Sequence, residues 1–340
     1  MYKVGVIGLG SIAEGYGKPE DPNSYCHVGG ILSSDRVVLA AVADLQQDRL
    51  DNFRAKWGAH FPDTNYYPSH HAMLAAEALD IVAVCVRGPA HFEVTGDAIQ
   101  ASPRAIFLEK PPSMSLAEMD AMVAAARGRN IPITVSYSRH WSPHVLRLEE
   151  LVKDGLIGEV RTVVGYVGGA FLSFASHGTD LICQFAGYCP KTVFAHGRGG
   201  GEAPDGYEPE PSVSGMLIEF ETGVTGIHVG ARGQAGAFYV DVSGSEGQVR
   251  AGMYTPPYAA DKDGKEMDLS AHGTPANASV FTVAYRQIAD HLDGGPLPAC
   301  TSDDFIAVNE IGFAGIESMH SGQAVAIPNT HRTRRIFANG

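Results

Sequence analysis

The chain has 340 residues, more than one typical core fills, which points to two domains. Apolar residues at 44% and charged residues at 19% exclude a disordered chain and fit a folded globular one. With 25 basic against 38 acidic side chains the formal charge is −13, which argues against nucleic acid or an anionic membrane as partner; a local basic pocket for a cofactor phosphate stays compatible with it.

The first element is a short apolar run, Val4 to Ile7, read as a buried parallel strand. It leads into Gly8-x-Gly10-x-x-Ala13. Gly8 permits the tight turn, Gly10 lets backbone approach a pyrophosphate, and the small Ala13 lets a helix pack close. Phosphates would sit at the start of that helix, where N–H groups favour negative charge. Gly8, Gly10, Ser11, Ile12 and Ala13 are the cofactor-binding set here. A polar detour, Glu14 to Tyr25, resembles a loop inserted near the start of the first helix. A short helix (27–32) and a second strand (37–43) follow, ending at Asp44. A carboxylate there accepts the adenosine ribose hydroxyls and repels a 2′-phosphate, so NAD is expected over NADP. No basic residue follows until Arg49.

A helix (46–57), a strand near 65–67, a helix (70–78) and the apolar strand 81–86 come next. The last opens into Arg87-Gly88-Pro89-Ala90-His91, at the sheet end that faces a cofactor. The strand 105–108 delivers Glu109-Lys110-Pro111-Pro112. A capping box at Ser115 and Glu118 opens an amphipathic helix, and the strand 131–136 completes an alternating α/β domain with a parallel sheet. A helix starting at Ser142-Pro143 ends at Gly155. From about Glu159 the pattern changes to β-prone segments: 160–168, 192–196, 213–221, 224–231, 238–243 and 248–251. Hairpins at 221–223 and 244–247 make this an antiparallel sheet. Two closing helices, 279–292 and 302–319, are expected to cover one of its faces. Gly197 to Pro211, rich in Gly, Glu and Pro, reads as a mobile loop. The predicted fold is α/β: a Rossmann domain at 1–137 and an α/β domain with a large, mostly antiparallel open sheet at 138–340.

No apolar run reaches the roughly 20 residues that cross a bilayer. The first strand starts at residue 2 or 3, leaving no room for a signal peptide. Five cysteines (Cys26, Cys85, Cys183, Cys189, Cys300) without CxxC spacing predict reduced thiols and no metal site. A cytoplasmic protein is expected.

Two groups carry the chemistry. Lys110, between a buried strand and two prolines, can donate to a substrate oxygen. His177 and Asp180, three apart at the start of a helix, share a face, and an imidazole there can take an alcohol proton. His60, His70, His71, His272 and His320 receive no role.

These motifs, with Tyr137-x-Arg139, Pro143, Gly155-x-Ile157-Gly158 and the closing Val325–Pro328, occur in an order that resembles the Gfo/Idh/MocA family (glucose–fructose oxidoreductase and inositol dehydrogenase) across nearly the whole chain. The resemblance implies an NAD(P)-dependent oxidoreductase of a sugar, cyclic polyol or derivative. It makes Lys110 catalytic, His177 the acid/base and Asp180 a partner of substrate or histidine. Arg139, Trp141, Glu109 and the Arg87, Gly88, Pro89, His91 loop would line the nicotinamide side, and Lys110, Arg139, Tyr166, His177 and Asp180 the substrate. Relatives also imply two rivals, an NAD-dependent glycosidase and a non-catalytic NAD-binding sensor. A homodimer or homotetramer through the second sheet is expected. Two positions depart from the pattern. Many sugar dehydrogenases of the family have aspartate where this chain has Ser173, and a loop usually Thr-Pro-Asn-x-x-His reads Gly88-Pro89-Ala90-His91.

Overall fold

The structure is a computed structural model that describes residues 1–230, 238–275 and 277–339. In chain order, β1 (Tyr2–Ile7) precedes a helical turn at Ser11–Gly15, α1 (His27–Leu32), β2 (Val37–Ala43), α2 (Gln47–Trp57), β3 (Asn65–Tyr67) and α3 (His70–Ala76). There follow β4 (Ile81–Val84), α4 (His91–Gln100), β5 (Ala105–Leu108), α5 (Leu116–Arg127) and β6 (Ile133–Val135). A short turn at Ser138–Trp141 then leads to α6 (Pro143–Lys153), β7 (Val160–Tyr166), α7 (Ser176–Ala186), β8 (Pro190–Arg198), β9 (Glu208–Pro209) and β10 (Ser212–Phe220). The chain closes with β11 (Thr225–Val229), β12 (Tyr239–Gly244), β13 (Gly247–Gly252), β14 (Tyr258–Asp261), α8 (Val280–Leu292), α9 (Ser302–Ser321), β15 (Val325–Ala326) and β16 (Ile336–Phe337).

Two compact units result. One comprises Met1–Ser113, Glu118–Ser136 and Asn277–Ser302; the other Met114–Ala117, Tyr137–Ala276 and Asp303–Gly340. Of the expected boundaries, Ala231 and Gly340 lie outside the described residues.

The first unit holds a six-stranded parallel sheet in the order β3-β2-β1-β4-β5-β6. Its central strands are apolar on both faces because helices cover both; Val4, Val6, Val82 and Phe107 are fully buried. Residues 277–302, expected in the second domain, belong here instead. The reason is packing of α8 on α1. A Cβ at Gly30 would fall 2.4 Å from that of Phe281, so only glycine lets the helices close to this distance. Phe281 and Tyr285 are then buried, each contributing about 2 kcal/mol. The Glu14–Tyr25 detour does interrupt the first helix, and it is anchored: Glu14 accepts from Lys56 Nζ and Trp57 Nε1, both at 3.0 Å.

The second unit holds an eight-stranded sheet, β14-β13-β12-β7-β11-β10-β8-β15, in which β7 and β11 run parallel and the other named pairs antiparallel. One face carries α7 and α9. A Cβ at Gly165 would press on Ile182 of α7, and one at Gly315 of α9 would press on Met216 of β10. The opposite face bears a row that runs Arg250, Asp241, Val164, Ile227, Leu217, Phe194 across six strands. Of the two closing helices, then, α9 covers this sheet, as expected, and α8 does not.

The Gly197–Pro211 segment is not a loose loop. β9 pairs with β16, and the Glu210 carboxylate accepts from the Leu172 and Ser173 amides at 2.5 and 2.7 Å. Its other oxygen accepts from Ser173 Oγ at 2.6 Å. Gly and Pro richness marks the turns correctly; the charge-assisted bonds that pin them come from a distant part of the chain. None of the five cysteines is in a disulfide. Among the described residues, no helix is long and apolar enough to cross a membrane.

Candidate active site

The turn after β1 is built for close approach. Gly8 has φ +88°, and a Cβ there would lie 2.9 Å from the backbone carbonyl of Cys85. Only glycine tolerates both. At Gly10, by contrast, the nearest atom to a Cβ is Arg49 Nη1 at 3.8 Å, so backbone faces open space. Ser11 is exposed, Ile12 half-buried and Ala13 buried.

Asp44 closes the turn from β2. Its Oδ2 accepts from the Leu9 amide at 2.7 Å and its Oδ1 from the Gln46 amide at 2.9 Å. These bonds fix the carboxylate, and each oxygen keeps a lone pair for a ribose hydroxyl. The donor set and the open glycine fit a dinucleotide: 8–13 at the pyrophosphate and Asp44 at the adenosine ribose. Sequence distance misled on one residue. The first turn of α2 returns Arg49 to within 3.7 Å of Asp44, so a cation does stand beside the acid.

Glu109 and Lys110 leave β5 together and part in role. Glu109 is 4% exposed, with Oε1 at 3.1 Å from His27 Nε2. His27 Nδ1 in turn meets Tyr285 Oη at 3.0 Å. Burial pushes the Glu109 pKa up, but His27, Lys110 and Ser136 outweigh it and hold the acid below the usual carboxylate range. The Glu109 side chain, expected at the cofactor, thus braces the β5 end from within. Lys110 is half-buried. The His91 ring, expected in the cofactor loop, also turns inward. It is 1% exposed, with Nδ1 at 2.6 Å from the Pro111 carbonyl and Nε2 at 2.9 Å from that of Val86. Burial lowers its pKa. The ring ties the turn after Lys110 to the β4 loop and offers nothing outward. Gly88 is buried, whereas Arg87 and Pro89 are exposed.

In the second unit, Arg139 Nη1 lies 2.8 Å from His177 Nε2, and its guanidinium sits 4.5 Å above the Phe238 ring. A guanidinium has no acceptor, so His177 Nε2 must present its lone pair and carry its proton on Nδ1. His177 is 2% exposed and Arg139 half-buried.

Asp180, expected beside His177 or substrate, is fully buried with its oxygens on other groups. Oδ2 is 3.1 Å from His140 Nδ1, and Oδ1 accepts from Tyr188 Oη at 3.0 Å. Burial works to lower the His140 pKa; the charge and hydrogen bond of Asp180 prevail and raise it above the ordinary imidazole value. Trp141, expected near the nicotinamide, is 1% exposed and part of the core.

Tyr166 is the clearest correction. Gly165 and Val167 face α7, and strand alternation sends Tyr166 to the other side of the sheet. There it stacks on Tyr239, ring centres 4.8 Å apart, away from His177. The sequence did not single out His27, His140, Tyr188, Glu210 or Phe238. Only His140, next to Arg139, had a signal within reach.

A parallel sheet of this strand order with a glycine turn and a strand-end acid, followed by an open mixed sheet, defines the class of two-domain NAD(P)-dependent oxidoreductases. Residues 2–137 match the model GFO_IDH_MocA, "Oxidoreductase family, NAD-binding Rossmann fold". Residues 2–137 thus carry the NAD-binding Rossmann domain of the Gfo/Idh/MocA oxidoreductases. It is 24% identical to myo-inositol 2-dehydrogenase of Thermotoga maritima over 265 residues, 73% of this chain and 75% of that protein. It is 21% identical to D-glucoside 3-dehydrogenase of Escherichia coli, covering 96% of this chain and 97% of that one. The fold is that of an Agrobacterium radiobacter oxidoreductase solved with NAD+, L-tartaric acid and magnesium: TM-score 0.77, 19% identity, 96% and 98% of the two chains.

Proposed function

We propose that the protein uses NAD to oxidise or reduce a hydroxyl-bearing carbon of a sugar, cyclic polyol or sugar derivative. The observation that carries the cofactor choice is Asp44, fixed by the Leu9 and Gln46 amides at the end of β2 with its remaining lone pairs available for ribose hydroxyls. The names of the relatives, an inositol and a glucoside dehydrogenase, support the substrate class. When bound, the nicotinamide supplies a two-electron acceptor or donor. The chain supplies the rest. Lys110, half-buried, donates a hydrogen bond to the reacting oxygen and stabilises it as the proton leaves. In the second unit His177 offers Nε2 as a proton acceptor once Arg139 turns aside, which frees the donor that Arg139 gives to the imidazole for a substrate oxygen.

We further assign the open face of the second sheet to another copy of this chain, forming a homodimer or homotetramer. Leu217 is 44% exposed in the middle of its row, beside Ile227 and Phe194. We place the protein in the cytoplasm, where cysteines outside disulfides stay reduced. Incubating it with NAD and a panel of inositols, aldoses and glucosides, and following absorbance of the reduced cofactor, tests the reading. Substrate-dependent NADH formation supports it. Release of a free sugar with no net NADH would instead make it a glycosidase.

A further inference from the structure

We propose that His70, His71 and Asp97 form a binding site for one divalent cation of the zinc class, bridging α3 and α4 in the nucleotide-binding unit. Ser69 Oγ accepts from the Ala72 amide at 3.2 Å and fixes the start of α3, which places both histidines in its first turn. Adjacent helical side chains normally diverge by about 100°. Here the two rings lie 4.0 Å apart at 37° and point to one place. His70 Nε2 is 3.0 Å and His71 Nδ1 3.6 Å from the same oxygen, Oδ2 of Asp97 on α4. The three ligand atoms lie within 4.8 Å of one another.

Two imidazoles and a carboxylate suit zinc, and water completes a tetrahedron. Zinc–ligand distances near 2.0–2.2 Å need these atoms about 3.4 Å apart, so inward movements of about an ångström assemble the sphere. The approach is open, since the His71 side chain is 67% exposed. Neither histidine drew attention in the sequence, because their partner lies 26 residues further along, across β4, and no thiolate spacing announces it. The site is independent of the proposed reaction.

The test is metal uptake by the full chain, free of any affinity tag. Titration with Zn2+ in a calorimeter is expected to saturate at one equivalent, and Co2+ to give the visible bands of a tetrahedral N/O site. His70→Ala and Asp97→Asn each abolish both signals, and His60→Ala, elsewhere in the unit, changes neither. His71→Gln, at the most exposed ligand, weakens uptake about tenfold or more with the fold intact by circular dichroism. No saturable uptake below about 1 mM Zn2+, far weaker than a three-ligand site of this kind gives, overturns the proposal. So does uptake unchanged in His71→Gln and Asp97→Asn, which leaves an adventitious ion only.

Discussion

Arg139 points a guanidinium N–H at His177 Nε2 across 2.8 Å, and by doing so sets which nitrogen of the imidazole carries the proton. The acid/base candidate is thus neutral, with its lone pair covered by a cation that has to move before a substrate proton can arrive.

This hydrogen bond has a spectroscopic consequence. Long-range 1H–15N correlation on histidine-labelled protein should show His177 as the Nδ1–H tautomer. Arg139→Met removes the donor, and the Nε2–H form, the commoner one for a free imidazole, should become prominent. An Nε2–H tautomer in the unsubstituted protein would contradict the geometry.

On the proposed reading, Asp44 and Arg49 set cofactor choice between them. Removing the acid in Asp44→Ser deletes the ribose acceptor and the repulsion, and leaves Arg49, now 3.7 Å from the carboxylate, unopposed near a 2′-phosphate. The ratio of NAD to NADP affinity should fall about tenfold to a hundredfold, the size expected when a charge-assisted hydrogen bond to one cofactor is exchanged for one to the other. Fluorescence titration with both reduced cofactors measures it.

Two buried histidines pull stability in opposite directions with pH. His228, fully buried, donates from Nε2 to the Val167 carbonyl at 2.7 Å and has its pKa pushed down to about 4, chiefly by burial. A depressed pKa means its stabilisation is complete above the unfolded value near 6.5 and is lost as pH falls toward 4. About 3 kcal/mol goes over that window, and His228→Gln should flatten the acid limb of a denaturation series. His140 has a raised pKa. Its pairing with Asp180 contributes fully below about pH 6.5 and fades as pH rises through the folded value. Asp180→Asn should therefore cost about 2 kcal/mol at pH 6 and less at pH 9.

On the open sheet face, Leu217→Asp puts a charge in the middle of an apolar row. Sedimentation should show the assembly reduced to monomers with the far-ultraviolet spectrum kept. An oligomer unaffected by the substitution would place the interface elsewhere.

What could be read beforehand divides on physical lines. β1, the Gly8 turn and Asp44 were legible because a strand buried on both faces is a continuous apolar run, and glycine is forced where backbone meets backbone at 2.9 Å. α8 was legible as an amphipathic helix, but such a pattern says that one face is buried and not on what; Gly30, far upstream, decides that. Asp180 and His177 do share a helix, yet the turn at Ser138–Trp141 delivers His140 to one and Arg139 to the other. Tyr166 was a readable error. Val163 and Val167 are fully buried on the helix-covered face, and a period of two puts the tyrosine opposite.

The central claim is that Lys110 carries chemistry and not cofactor affinity. With a polyol substrate found by the NADH assay, Lys110→Ala should lower kcat by about a thousandfold, within the range for loss of a catalytic proton donor. NADH binding by fluorescence should change less than about twofold, since the lysine acts on the transition state, which that equilibrium does not sample. Undiminished turnover in Lys110→Ala, or a turnover loss that merely tracks a loss of NADH affinity, would contradict the account.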